Sequence, residues 1–291
     1  MPEEAAFIKY HGTGNDFLIF DAWERGPFLG PQVIAAICTP HTGVGADGVI
    51  FACSPRTGAE ARMRIFNADG SEAEMCGNGI RCLAKYLHEH RGIGGPRMFI
   101  ETEAGAREIN LLLRDGVVEE VEVDMGIPEF SSSDLPPSAG EDRATTLALP
   151  DGEEVECLCV SMGNPHCVIF VEDLDNAPVA VRGPQVENHP LFPNRVNVEF
   201  VRVLGADRIA VRVWERGVGE TRACGTGACA AFVAAVRAGF LSRSAVVELP
   251  GGELRTSVDD HGHVWLAGPA VEVFRGELNP SWLHSLGGSL R

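Results

Sequence analysis

The chain has 291 residues, 45% of them hydrophobic, enough for a core that needs no disulfide staples. Its 24 Lys and Arg against 41 Asp and Glu give a net charge of −17, and only Lys9 and Lys85 are lysines. That balance excludes nucleic acid as a partner, because phosphate contacts need clustered cations. The longest apolar run, residues 228–236, falls well short of the ~18 residues of a membrane span. The start, Met1-Pro2-Glu3-Glu4, is acidic and has no signal-peptide pattern, so the expectation is a cytoplasmic chain whose nine cysteines are thiols.

In chain order, residues 6–10 and 17–21 read as short strands around a Gly-Thr-Gly turn, and 31–38 as a helix opened by Pro31. Strand patterns follow at 49–53, 62–66, 97–101, 108–113 and 117–124. Helical spacing joins Ile80, Leu83, Ala84 and Leu87 and ends near Gly92. Residues 126–154, with Ser131-Ser132-Ser133 and Pro136-Pro137, have no clear period and read as a connection. Strands resume at 156–161, 167–171, 196–203, 209–214 and 246–249, with a second helix over 225–238.

Laid on itself, the chain repeats. Arg64, Glu72, Cys76, Gly77 and Gly79 recur as Arg212, Glu220, Cys224, Gly225 and Gly227 at an offset of 148, and Gly14-Asn15 recurs as Gly163-Asn164 at 149. Two ordered matches at nearly one offset indicate duplicated halves. Each half then reads strand, loop, Cys-Gly-x-Gly, helix. Cys76 and Cys224 fall at helix N-termini, where unpaired N–H groups favour a thiolate and can bind a carboxylate. Two such turns related by a pseudo-twofold would give one anion site between two thiols. A thiolate and a thiol on opposite sides of a carbon can invert it, one removing a proton and the other delivering one.

Cys157 and Cys159 alternate on one strand and read as packing, Cys82 and Cys229 as buried helix residues. Cys38, Cys53 and Cys167 have no site context. With no Cys-x-x-Cys, no metal site is expected. A redox pair and a Cys–His–Asn protease are open alternatives, although the protease would not explain a motif that occurs twice.

Five motifs in order carry a resemblance: His11-Gly12-Thr13-Gly14-Asn15-Asp16-Phe17, Asn67-Ala68-Asp69-Gly70-Ser71 leading to Met75-Cys76-Gly77-Asn78-Gly79, Gly163-Asn164-Pro165-His166, Arg195-Val196-Asn197-Val198-Glu199, and Glu215-Arg216-Gly217 leading to Ala223-Cys224-Gly225-Thr226-Gly227. Together they resemble the diaminopimelate epimerase family from about residue 8 to 278. The resemblance implies an α/β (α+β) fold of two pseudo-symmetric duplicated halves. Each half would be a curved, mostly antiparallel sheet wrapped around a central helix, with the active site in the cleft between them. The expected halves are 1–125 plus about 275–291, and 126–274.

The implied activity is interconversion of LL- and meso-diaminopimelate without a cofactor, in lysine and peptidoglycan precursor synthesis, by a cytoplasmic homodimer. Cys76 and Cys224 would be the two acid/base residues, and His166 and Glu215 would set their protonation. Gly77, Asn78, Gly225 and Thr226 would hold the carboxylate at the reacting carbon. Asn15, Asn67, Asn164, Asn197, Glu215 and Arg216 would read the rest of the substrate. The sequence departs from some members in two places. Val44-Gly45-Ala46-Asp47-Gly48 lacks a substrate-contacting Gln, and Phe274 stands where some have a Tyr implicated in dimerisation. Residues 279–291 read as an added surface segment. The nearest alternative of this fold, a proline or hydroxyproline racemase, resembles Met-Cys-Gly-His-Gly at the first turn, where Asn78 stands here. A thiol–disulfide switch or binding module of duplicated origin is the non-catalytic alternative.

Overall fold

A computed structural model describes residues 5–140 and 144–287; the acidic start, part of the polar connection and the end of the expected tail lie outside them. The chain forms two compact units, Met1–Val123 with Gly268–Arg291, and Asp124–Ala267. No described helix is long and apolar enough to cross a membrane.

The first unit runs β1 (Ala6–Gly12), β2 (Asn15–Asp21), α1 (Pro31–Cys38), β3 (Gly48–Cys53), β4 (Ala61–Asn67), β5 (Glu72–Ala73), α2 (Gly77–Arg91), β6 (Arg97–Thr102), β7 (Gly105–Arg114) and β8 (Val117–Asp124). The second runs β9 (Thr145–Ala148), β10 (Glu154–Ser161), β11 (Pro165–Phe170), α3 (Val179–Glu187), β12 (Asn197–Gly205), β13 (Arg208–Glu215), β14 (Gly219–Thr221), α4 (Gly225–Arg237), β15 (Ser244–Leu249), β16 (Gly252–Val258) and β17 (Val264–Gly268). The chain then returns to the first unit as β18 (Val271–Glu277) and α5 (Pro280–Ser285). This return begins at Gly268, ahead of the expected 275, because β18 is paired with β1 along its length, from Val271 opposite His11 to Glu277 opposite Ala6.

Strand pairing repeats between the units. β1–β2 and β10–β11 are antiparallel, while β2–β3 and β11–β12 are parallel across a helical crossover. β4–β6 and β13–β15 are again parallel, across α2 and α4. The register keeps the sequence offset: Phe66 pairs with Glu72 as Trp214 pairs with Glu220. The Arg64–Glu72 ion pair recurs as Arg212–Glu220 at 2.8 Å. Such partly exposed pairs contribute less than about 1 kcal/mol; they mark the duplication more than they stabilise it.

Central strands in each unit are buried on both faces, so they read as continuous apolar runs instead of alternating ones. In the first unit Leu18, Phe20, Val49 and Phe51 pack outward under α1 and α5 with Phe7, Ile34 and Leu283. Alternate residues such as Ile19 and Ile50 face the other way, and Ile50 lies against the start of α2. In the second unit Cys167, Ile169, Val198 and Phe200 join the outer cluster with Val179 and Val186 of α3. Their neighbours His166 and Glu199 therefore point to the opposite face.

The sequence reading missed α3, which carries Gly183 and an internal Pro184. Both are poor helix residues in isolation. Packing explains the glycine: a Cβ there would stand 2.5 Å from the Trp214 ring. Gly183→Ala should therefore destabilise the protein by about 1–3 kcal/mol through overpacking. Urea unfolding of the variant checks this; an unchanged midpoint would contradict the packing.

Candidate active site

In the first unit the Thr13-Gly14 turn between β1 and β2 is left-handed at both residues, with φ of 57° and 79°. Such a two-residue turn matches the twist of a hairpin and places Asn15 at the head of β2. Cys76 is the N-cap of α2, and its Sγ accepts the Gly79 N–H at 3.4 Å. Asn15 Oδ1 receives the Asn78 amide at 3.3 Å and the Cys76 thiol at 3.8 Å. The Asn15 Nδ2 donates to Asp47 at 2.8 Å, in the loop that lacks the expected Gln. Cys76, Asn78 and Asn15 thus form one cluster. Asn67 lies outside that hydrogen-bonded group at the end of β4, donating to Ser71 Oγ at 3.0 Å.

The second unit repeats the turn with different chemistry. Cys224 caps α4, and its Sγ accepts the Gly227 N–H at 3.4 Å and lies 3.4 Å from Thr226 Oγ1. Asn164, the counterpart of Asn15, donates to Thr226 Oγ1 at 3.4 Å and holds His166 Nε2 at 2.9 Å. His166 Nδ1 meets Glu199 Oε1 at 2.7 Å, with both side chains fully buried. Asn197 is nearly buried and is occupied locally, donating to the Pro165 carbonyl and accepting the Arg216 N–H, each at 3.0 Å. Arg216 also donates to the Asn194 carbonyl at 3.0 Å, and Glu215 accepts from Thr221 at 2.5 Å. Asn197 thereby anchors the backbone at Arg216, beside Glu215.

The last glycine of each turn serves packing. A Cβ on Gly79 would stand 3.0 Å from Ile50 and Ile65, and one on Gly227 would stand 2.9 Å from Glu199 Oε1. These positions let the helix settle on its own sheet.

Helix N-termini were expected to favour the thiolate at both cysteines. At Cys224 that effect is outweighed. Burial and the nearby Glu215 carboxylate hold its thiol well above the usual range, against the lowering by Thr226 and the Gly227 N–H. Cys76 is only half-buried. Under its turn lies a cation instead: Arg81, fully buried, donates to the Gly77 carbonyl at 3.3 Å and to Thr13 at 2.9 Å.

Two residues of this site escaped the sequence reading as separate participants. Arg81 sits on an otherwise apolar helix face and Glu199 within an apolar strand, and that charge inside an apolar run was the available signal. Burial pushes Glu199 upward against the lowering effect of His166. Removing one member of a buried pair of this kind costs about 3–5 kcal/mol.

The remaining cysteines suit packing. Burial pushes Cys38 and Cys82 up to about 12 and Cys53 up to about 11. Cys157, Cys159 and Cys167 have sulfurs within 4.8 Å of one another, the one metal-like grouping among the described residues. All three belong to the apolar outer cluster. Three thiolates around a divalent ion would leave a net negative charge there with no paired cation, so the donor set fits three neutral thiols better.

A family model described as diaminopimelate epimerase matches residues 7–131 and 158–273. A diaminopimelate epimerase of Pelotomaculum thermopropionicum is 48% identical over 274 residues, covering 93% of this chain and 98% of that protein. One of Moorella thermoacetica is 49% identical over 276 residues, covering 93% and 98%. Among solved structures, a probable proline racemase from Agrobacterium radiobacter K84 superimposes with a TM-score of 0.70 at 15% identity, covering 94% of this chain and 93% of that one. A PhzF-family phenazine biosynthesis protein of Bacillus anthracis gives 0.68 at 20% identity, covering 94% and 99%. At those identities the two structures share the fold alone.

The protonation of Cys224 can be read directly. Only the thiolate alkylates, so its reaction with iodoacetamide should keep rising with pH beyond the ordinary thiol value of about 8.5. Peptide mass mapping across a pH series measures this; a plateau reached below that value would show that the helix end wins over burial.

Proposed function

The chain belongs to the diaminopimelate epimerase family, and on that premise we propose that it interconverts LL- and meso-2,6-diaminopimelate with two thiols as its acid and base. The observation that carries the mechanism is the duplicated N-cap: each unit starts its central helix with a cysteine whose sulfur already takes a backbone N–H. In this reading both thiols serve one substrate carbon. The thiolate removes the α-hydrogen as a proton from one face, and the thiol gives its own proton to the other. The sulfurs leave the turnover with their roles exchanged, ready for the reverse reaction.

Cys224, held protonated by burial and by Glu215, is the acid of the resting enzyme. Cys76, whose helix turn lies over the Arg81 guanidinium, is the complementary base. The N–H groups at Gly77, Asn78, Gly225 and Thr226 receive the α-carboxylate and the charge that grows on it as the proton leaves. No reorganisation is needed, because the helix already aims them. Glu215 and Arg216 offer opposite charges to the distal ammonium and carboxylate, and Asn15, Asn67, Asn164 and Asn197 supply amides. Asn197 contributes chiefly by fixing Arg216. We place the reaction in the cytoplasm, in the supply of lysine and peptidoglycan precursors.

We also infer a homodimer. Among the described residues β18 is paired with β1, and it exposes Val271, Val273 and Phe274. An apolar edge strand of that kind suits a second copy better than water. Sedimentation should give a dimer that Phe274→Glu shifts toward monomer; a wild-type monomer at micromolar concentration would contradict it.

The activity is tested in D2O with LL-diaminopimelate, beside proline as control substrate. Deuterium should enter the inverted α-carbon, with no turnover of proline. Cys76→Ser and Cys224→Ser should each lower kcat by roughly 10²- to 10⁴-fold, the worth of a positioned acid or base. Unlabelled product, or full activity in either variant, would remove the two-thiol reading.

A further inference from the structure

Resting on that reading, we propose that Glu199 is a positioning residue: the buried Glu199–His166 pair holds two protons and no net charge, and so fixes the direction of every hydrogen bond from His166 through Asn164 and Thr226 to the Cys224 sulfur.

The chain of contacts is continuous. Glu199 Oε1 meets His166 Nδ1 at 2.7 Å, His166 Nε2 meets Asn164 Oδ1 at 2.9 Å, Asn164 Nδ2 meets Thr226 Oγ1 at 3.4 Å, and Thr226 Oγ1 lies 3.4 Å from Cys224 Sγ. With Asn164 Oδ1 facing the ring, His166 Nε2 carries a proton, because an amide oxygen can only accept. Thr226 Oγ1 then accepts from the Asn164 amide, which leaves its own hydrogen to point at the sulfur. This order breaks if the histidine is neutral with its proton on Nδ1. The ring would then offer Nε2 a lone pair, the Asn164 amide would turn over, and Thr226 would spend its hydrogen on Asn164.

Which arrangement holds depends on the Glu199–His166 pair. A carboxylate beside a neutral Nδ1–H ring would bury an uncompensated charge with both side chains fully inaccessible. A carboxylic acid donating to Nδ1, or a carboxylate facing an imidazolium, carries none; in both, Nε2 is protonated. Two further observations favour the uncharged pair. Glu199 Oε2 is buried without a hydrogen-bond partner among the described residues, a heavier penalty for a carboxylate than for an acid. Glu215 adds a negative charge nearby, which further disfavours a second one at Glu199. The position is also enforced sterically, since only a glycine at 227 leaves room for Oε1 beneath the α4 turn. The consequence for the reaction is a hydroxyl proton aimed at Cys224 whenever that sulfur becomes a thiolate.

The test begins with the wild-type protein, labelled with 15N-histidine. The His166 signals, identified by their loss in His166→Asn, should show Nε2 protonated. This readout needs no turnover, so it stands apart from whether diaminopimelate is the substrate. In a second arm, Glu199→Gln, which can donate to Nδ1, should keep the Nε2–H signal and kcat within about threefold of wild type, while Glu199→Leu should lose about 10- to 100-fold in kcat, as supporting-shell changes do. A bare Nε2 with Nδ1–H in the wild-type spectrum would overturn the proposal even if the leucine variant fails to fold. So would a leucine variant at wild-type kcat, or a glutamine variant as slow as the leucine one.

Discussion

Everything in each half turns on a helix that begins at a cysteine. The first residues of a helix have N–H groups with no partner inside it, and here a sulfur takes one of them at 3.4 Å in both units. That bond fixes the sulfur beside the other N–H groups of the turn. The sheet beneath must let the turn come close, hence Gly79 over Ile50 and Ile65 and Gly227 over Glu199. The doubly buried strands, the outer helices and the repeated parallel crossovers exist around this constraint: they hold a helix end rigid at the head of a hairpin that carries an asparagine.

Duplication preserved the frame and let the charges diverge. The backbone pairing, the Arg–Glu ion pair and the N-cap sulfur are the same in both halves. What lies buried under the turn is a guanidinium in one and a carboxylate–imidazole pair in the other. A reaction that runs in both directions needs two similar groups, yet it needs them in different protonation states at any instant. A buried cation under one turn and a buried pair without net charge under the other give a physical origin for that difference.

Much of this was legible in the sequence, and the reasons for the rest are specific. The two central helices declared themselves because Cys-Gly-x-Gly precedes a run with helical period, and Gly92 stops α2 in the left-handed conformation. The duplication followed from residue spacing alone. α3 was hidden by Gly183 and Pro184, which only the Trp214 ring explains. β5 and β14, two and three residues long, carry too few side chains to show a period. Arg81 and Glu199 were passed over because a lone charge usually marks a solvated position, and sequence carries no direct measure of burial. For the same reason the thiol at Cys224 was misjudged: the helix end is visible in the letters, whereas desolvation depends on what folds over it. Asn67 and Asn197 were grouped with the other amides by motif, and the letters could not show that they also support a turn and the Arg216 backbone.

The late return of β18 to pair with β1 has a consequence for how the molecule is made. The second unit is one uninterrupted stretch and can complete its sheet as soon as β17 has been synthesised. The first unit, although its other strands are translated first, has an unpaired β1 edge until some 260 further residues have been added. Synthesis at about 5–20 residues per second makes that a wait of tens of seconds. During that time the half that contains Cys76 presents an open strand edge to anything that can pair with it. Folding order is therefore the reverse of gene order at this edge, and a nascent chain has most need of chaperone cover on the part that left the ribosome first.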